Sequence, residues 1–150
     1  MIWKTILVPH DFSSSANHAA ALARDEAKLH GAAIQLLHVV DLPGQLTPST
    51  VIVPDATGAP ISIKEYAVGQ AEAHLNDIVE RLGKDGVKAQ SFIRIGKPED
   101  EIVRFAAENT SDLIVMGTHG RTGLAHMLVG SVAERVVRTS TVPVLTIRAT

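Results

Sequence analysis

Residues 116–131 carry the densest chemistry of the chain. Gly117 and Gly120 follow an apolar run, Gly130 and Ser131 precede a helical one, and His119 and Arg121 stand inside the loop. The run before it, Asp112-Leu-Ile-Val-Met116, is short and apolar, as a fully buried strand requires. The residues after it, Ser131-Val-Ala-Glu134, have the form of a capping box that opens a helix. Glycines at 117, 120 and 130 let the backbone take positive φ and come close to a ligand. The first turn of the following helix offers unpaired N–H groups at the positive end of a dipole. A phosphate suits that place, with His119 and Arg121 positioned to meet it. One such glycine alone would read as strand-to-helix punctuation; the whole spacing, between a buried strand and a capped helix, points to a ligand.

The spacing Gly, two residues, Gly, nine residues, Gly-Ser resembles the signature of the nucleotide-binding universal stress proteins. Gly117, Gly120, Gly130 and Ser131 match it without a gap. The likeness extends along nearly the whole chain: Ile6-Leu-Val-Pro9 followed by Asp11, the strand end His38-Val-Val40, the helix start Gly96-Lys-Pro98 and the closing Val142-Pro-Val144. The resemblance implies ATP as the ligand, its phosphates and ribose on the glycine loop and Ser131, and its adenine edge against the backbone of Val39. Pro9, Asp11, Met116, His119, Arg121 and Val132 complete the implied site. One departure is visible: where many members have Asp-Gly-Ser after the first strand, this chain has Asp11-Phe12-Ser13, so the turn is made without a glycine.

Asp11 has two roles open to it. A carboxylate there can accept hydrogen bonds from a nucleotide or hold Mg2+ bridging its phosphates, or it can cap the helix that starts near Ser13. His18, His30 and His74 fall in expected helices and read as solvated, and no pair of histidines has the H-x-x-x-H spacing of a helical zinc site. Asp25, Glu26 and the Glu99-Asp100-Glu101 run also sit on expected helices and read as solvated charges. Neither Gly83-Lys84-Asp85 nor Gly96-Lys97-Pro98 makes a Walker A loop, and no G-x-G-x-x-G or G-x-S-x-G is present. A response-regulator reading needs a carboxylate at the end of the third strand, where Arg94-Ile-Gly96 offers none.

Composition narrows the classes. The 150 residues are expected to form one domain, 1–150, with a sizeable core. With no cysteine, disulfides and thiolate chemistry are excluded, and a cytoplasmic setting is expected. No apolar run approaches the roughly 20 residues of a bilayer span. A net charge of −2 and 3% aromatics argue against a nucleic-acid groove.

The elements that must position these residues alternate. Strands are expected at 3–9, 32–41, 87–95, 112–116 and 142–148. Helices are expected at 13–30, capped by Ser13 or Ser14 and stopped by Gly31, at 62–82 behind the capping box Ser62-Ile-Lys-Glu65, from Pro98 onward, and at 131–139. The buried face after Pro98 is read as Ile102, Val103, Ala106 and Ala107. Residues 42–61 carry four prolines and two glycines and read as a long loop without regular elements, mobile until ligand binds. The pattern is α/β with a parallel sheet. The resemblance implies an open five-stranded sheet of order 3-2-1-4-5 with helices on both faces, like the adenine nucleotide alpha hydrolases. In that order the sheet reverses between its first and fourth strands, and ligands bind at such switch points.

The function expected is an ATP-binding regulatory module of the stress response with at most slow hydrolysis. The competing readings are a constitutive interaction module without nucleotide and a true ATPase or phosphotransferase. A homodimer through the last strand, 142–148, is expected because an unpaired apolar edge invites another chain, and no nucleic-acid or membrane partner is expected.

Overall fold

The computed structural model describes residues 1–54, 58–119 and 129–148. In chain order the elements are β1 (Thr5–Pro9), α1 (Ser14–His30), β2 (Ala33–Val40), β3 (Val51–Ile52), β4 (Ile61–Ser62), α2 (Ile63–Lys84), β5 (Ala89–Ile95), α3 (Pro98–Glu108), β6 (Leu113–Gly117), α4 (Ser131–Thr139) and β7 (Val144–Ile147). Five strands form one parallel sheet in the order β5-β2-β1-β6-β7. This is the expected 3-2-1-4-5 order, and its direction of winding reverses between β1 and β6.

Both faces of the sheet are covered, which is why its strands read as unbroken apolar runs. Ile6, Val8, Ile34, Leu36 and Val115 pack under α1 and α2. Leu7, Leu37, Ile114 and Met116 pack under α3 and α4. α1 lies close because its buried stripe is alanine, at 16, 19, 20, 23 and 27. Its ends follow the sequence: Ser13 Oγ accepts from Ala16 N–H at 3.1 Å, and Gly31 closes the helix at φ 69°. Ser62 caps α2 in the same way through Glu65 N–H at 3.1 Å.

Several expectations need correction. Residues 42–61 are not wholly irregular: β3 and β4 pair antiparallel, each only two residues long, in the space the prolines leave between them. On α3 the buried stripe is Ile102, Phe105 and Ala106, with Val103 half-buried and Ala107 exposed, because the 3.6-residue period carries 107 round to solvent. Glu101 is buried and bonded to Arg104 at 2.6 Å, not solvated. Ser131 is the first residue inside α4 and not its cap. That place falls to Gly130, which has no side chain to cap the helix with.

The contact that joins α1 to β6 is unusually close. A Cβ at Gly117 would overlap Ser15 Oγ and lie 2.9 Å from the Ser15 carbonyl carbon and Cβ. Gly117 is therefore a packing glycine, not a conformational one, and it is absent from the glycines with positive φ among the described residues, which are 31, 58, 86 and 96. Overpacking of this kind costs about 1–3 kcal/mol, so Gly117→Ala should lower the urea midpoint. The loss should shrink in a Ser15→Gly background, where two of the three clashing atoms are gone. Equal losses in both backgrounds would contradict the assignment.

Candidate functional site

The first wall of the site is the turn from β1 into α1. Phe12 holds φ 65°, a left-handed backbone that costs a residue with a Cβ roughly 1–2 kcal/mol. The sequence anticipated a turn made without glycine here, and the surrounding hydrogen bonds show how it is held. Phe12 N–H donates to His10 Nδ1 at 3.0 Å, and Ser13 N–H donates to Asp11 Oδ1 at 3.0 Å. The acceptor role of Nδ1 leaves the proton of the neutral ring on Nε2, which donates to Asn17 Oδ1 at 3.0 Å. His10 is anchored through its backbone as well: its N–H donates to Leu37 O at 2.8 Å and its carbonyl accepts from His38 Nδ1–H at 2.8 Å. The Phe12 ring lies 4.6 Å from that of His38 and 4.9 Å from that of His74, centroid to centroid. His74, read as merely solvated, thus has a ring partner, and His30 is half-buried beside Glu26 at 3.5 Å, whereas His18 is exposed. Asp11 closes a small turn onto Ser13, and Ser13 is the cap of α1.

The opposite wall is the end of β6 and the start of α4. Ser15 Oγ, pressed against Gly117, accepts from His119 N–H at 3.4 Å. Thr118 Oγ1 and His119 Nδ1 lie 3.0 Å apart. Gly130 N–H donates to the Thr118 carbonyl, and a Cβ at Gly130 would lie 2.8 Å from that oxygen. Gly130 has φ −70°, so it too serves close approach rather than a left-handed backbone. Thr118 and Gly130 are thus held together, and the N-terminus of α4, whose cap Gly130 carries no side chain, lines the same cavity as the ends of β1 and β6. Gly120 and Arg121 lie outside the described residues.

Between these walls is a cavity of about 370 Å³. Pro9, Asp11, Val39, Met116, Gly117, His119, Gly130, Ser131 and Val132 all line it, so nine of the eleven residues singled out from the sequence meet at one place. Sequence reasoning missed Ala16, Leu37, His38, Thr118 and Ala133 as lining residues, and it gave Pro98 and Ile102 only helix roles. The strand alternation signals Leu37 beside Val39; nothing in the pattern signals that α3 closes the side. The cavity is apolar along Leu37, Val39, Ile102 and Met116 and polar at Asp11, Thr118, His119 and Ser131. It can take a flat apolar group at one end and an anion at the α4 end. Among the described residues no group of three or more histidines and carboxylates could hold a metal, and no helix is long and apolar enough to cross a membrane. Asp11 is a single carboxylate of the sort that can join Mg2+ when phosphates supply the other ligands.

Fold and crevice define a parallel α/β protein with a cavity at the sheet's switch point. The chain belongs to the universal stress protein family, whose model matches residues 3–148. It is 35% identical to universal stress protein MJ0531 of Methanocaldococcus jannaschii over 147 residues, covering 98% of this chain and 83% of that one. Among solved structures, that of MJ0577 matches with a TM-score of 0.83 at 29% identity, over 100% of this chain and 99% of the other. The universal stress protein of Archaeoglobus fulgidus in complex with dAMP matches with a TM-score of 0.68 at 25% identity, over 98% and 99%.

Burial pushes the His10 pKa below the ordinary 6.5, outweighing the Asn17 hydrogen bond and the Asp11 charge that act the other way; His38 and Arg81 add smaller downward pushes. Below pH 6.5 the unfolded chain therefore binds a proton that the folded chain resists. The contribution to stability is complete above 6.5 and is lost as pH falls through the lowered value, by at most about 1.4 kcal/mol per pH unit. Urea unfolding between pH 7.5 and 5 should show this slope, and His10→Asn, which keeps an acceptor at the Nδ1 position but cannot titrate, should flatten it. An unchanged slope in that variant would assign it to other groups.

Proposed function

We propose that this chain is an ATP-binding regulatory protein of the stress response. It takes an adenine nucleotide in the crevice between β1, β6 and α4, as a single cytoplasmic domain that switches with its ligand. The phosphates lie on the glycine loop, including Gly120 and Arg121, and on the N–H groups of α4 at Ser131 and Val132, with the Ser131 hydroxyl adding a contact. The adenine edge meets the backbone of Val39, and Asp11 contacts the nucleotide directly or through Mg2+. The observation that carries this reading is the junction of an apolar wall with a helix N-terminus in one cavity, which matches the two halves of a nucleotide. The dAMP complex of the Archaeoglobus fulgidus relative supports it. Fast phosphoryl transfer ordinarily needs a positioned nucleophile and several cations around the γ-phosphate, so any hydrolysis should be slow.

We also propose a homodimer through 142–148. β7 lies at the edge of the sheet, and Leu145 on it and Val137 on α4 are exposed large apolar side chains. Light scattering at micromolar concentration should give the mass of two chains; the mass of one chain would remove the dimer.

Titration calorimetry with ATP and magnesium tests the ligand. A contact to a charged group is worth roughly 1.5–3 kcal/mol, so Asp11→Ala should weaken binding by about ten- to a hundred-fold at about 1.4 kcal/mol per decade, with far-UV dichroism unchanged. No adenylate binding at millimolar ATP would replace this reading with that of a constitutive interaction module. Rapid turnover would replace it with that of an enzyme.

A further inference from the structure

We propose that His10 is a positioning residue for the nucleotide crevice: its Nδ1 holds the left-handed backbone at Phe12 and thereby fixes Asp11 at the mouth of the cavity. The inference rests on the nucleotide reading for its consequence, but the positioning itself is a property of the chain alone.

Three observations support it. Phe12 is one of two non-glycine residues with positive φ among those described, the other being Thr110, and it lies directly after Asp11, the one carboxylate among the described lining residues of the cavity. A backbone of that kind persists only where its surroundings over-determine it. Those surroundings converge on His10. Both of its backbone polar groups are bonded to β2, its Nε2–H is bonded to Asn17 of α1, and its remaining nitrogen accepts from Phe12 N–H at 3.0 Å. With a residue exposure of 3%, the ring has little room to swing away from that bond. The imidazole is thus fixed to two elements of the fold and transmits their rigidity to the turn. The Phe12 ring, pinned against His38 and His74, holds the turn from its other side.

If Nδ1 is removed as an acceptor, the Phe12 N–H loses its buried partner and the main force opposing a return to negative φ is gone. Asp11, one residue earlier, would then swing with the chain. A glycine at position 12 has no such requirement, since positive φ costs it nothing. This difference separates positioning from direct contact, because His10 also borders the cavity.

The test uses His10→Gln, whose amide can reach Asn17 as Nε2 does but leaves nothing near Phe12 N–H, and His10→Asn, whose Oδ1 stands near the Nδ1 position. Each is made with Phe12 and with Phe12→Gly, and ATP affinity is measured by calorimetry alongside urea midpoints. His10→Gln should weaken ATP binding by about five- to thirty-fold, the factor that one or two kcal/mol represents. His10→Asn should bind within a few-fold of wild type. In the Phe12→Gly background the Gln and Asn variants should bind alike. Backbone couplings and Cα shifts of Phe12 in the ligand-free protein should report left-handed φ in the wild type and His10→Asn, and its loss in His10→Gln. Equal losses in the Gln and Asn variants, or a loss that persists with glycine at 12, would make His10 a direct contact and overturn the proposal. So would a Phe12 that stays left-handed in His10→Gln. If wild type binds no ATP the nucleotide reading fails, and the Phe12 couplings alone then decide whether His10 positions the turn.

Discussion

The seat of α1 against the end of β6 is the constraint on which the crevice depends. Only a residue without a side chain at 117 lets Ser15 come so close, and the same serine hydroxyl takes the N–H of His119 as the chain leaves the sheet. Because α1 begins in the β1 turn, this contact sets the distance between the two lips of the cavity. Gly130 repeats the device eleven residues after His119, where its N–H meets the Thr118 carbonyl and a Cβ would not fit. Both signature glycines whose structure is described therefore build the frame of the site. Their role in admitting a ligand follows from that frame and does not replace it.

The cavity joins two kinds of surface that one ligand must satisfy together. Leu37, Val39, Ile102 and Met116 belong to or border the core beneath α3 and α4, so one end is as apolar as the interior. At the other end the start of α4 presents backbone donors and the positive end of its dipole. An anion alone would leave the apolar wall wet, and an apolar ligand alone would leave the helix donors to water. A nucleotide covers both, which is why the proposal favours it over inorganic phosphate.

Much of the fold was legible because the relevant signals are local. Ser13, Gly31 and the Ser62–Glu65 box mark helix ends through bonds three or four residues long, and the buried strands advertise themselves by apolar runs such as Ile6-Leu-Val8. The strand order came from the family resemblance; the run of strands and helices alone allowed several. Ser131 lies one residue inside the helix: its S-x-x-E spacing marks a helix start without fixing which residue is the cap. The ribbon in 42–61 escaped notice because two-residue strands have no detectable period. Ser15 and Thr118 were not legible, since what makes them matter is contact across as many as 104 residues of sequence between α1 and the loop. The missing glycine at 12 was visible, whereas the imidazole, ring and amide network that holds it could be seen only in three dimensions.

The most direct test of the nucleotide crevice is an amide-resolved NMR titration of the ligand-free protein with ATP and magnesium, run beside inorganic phosphate. A nucleotide crevice predicts saturable shifts at Asp11, Val39, Gly117 and the first turn of α4, with phosphate moving the α4 amides alone and more weakly. Shifts confined to β7 or α2, or none at millimolar ATP, would contradict it.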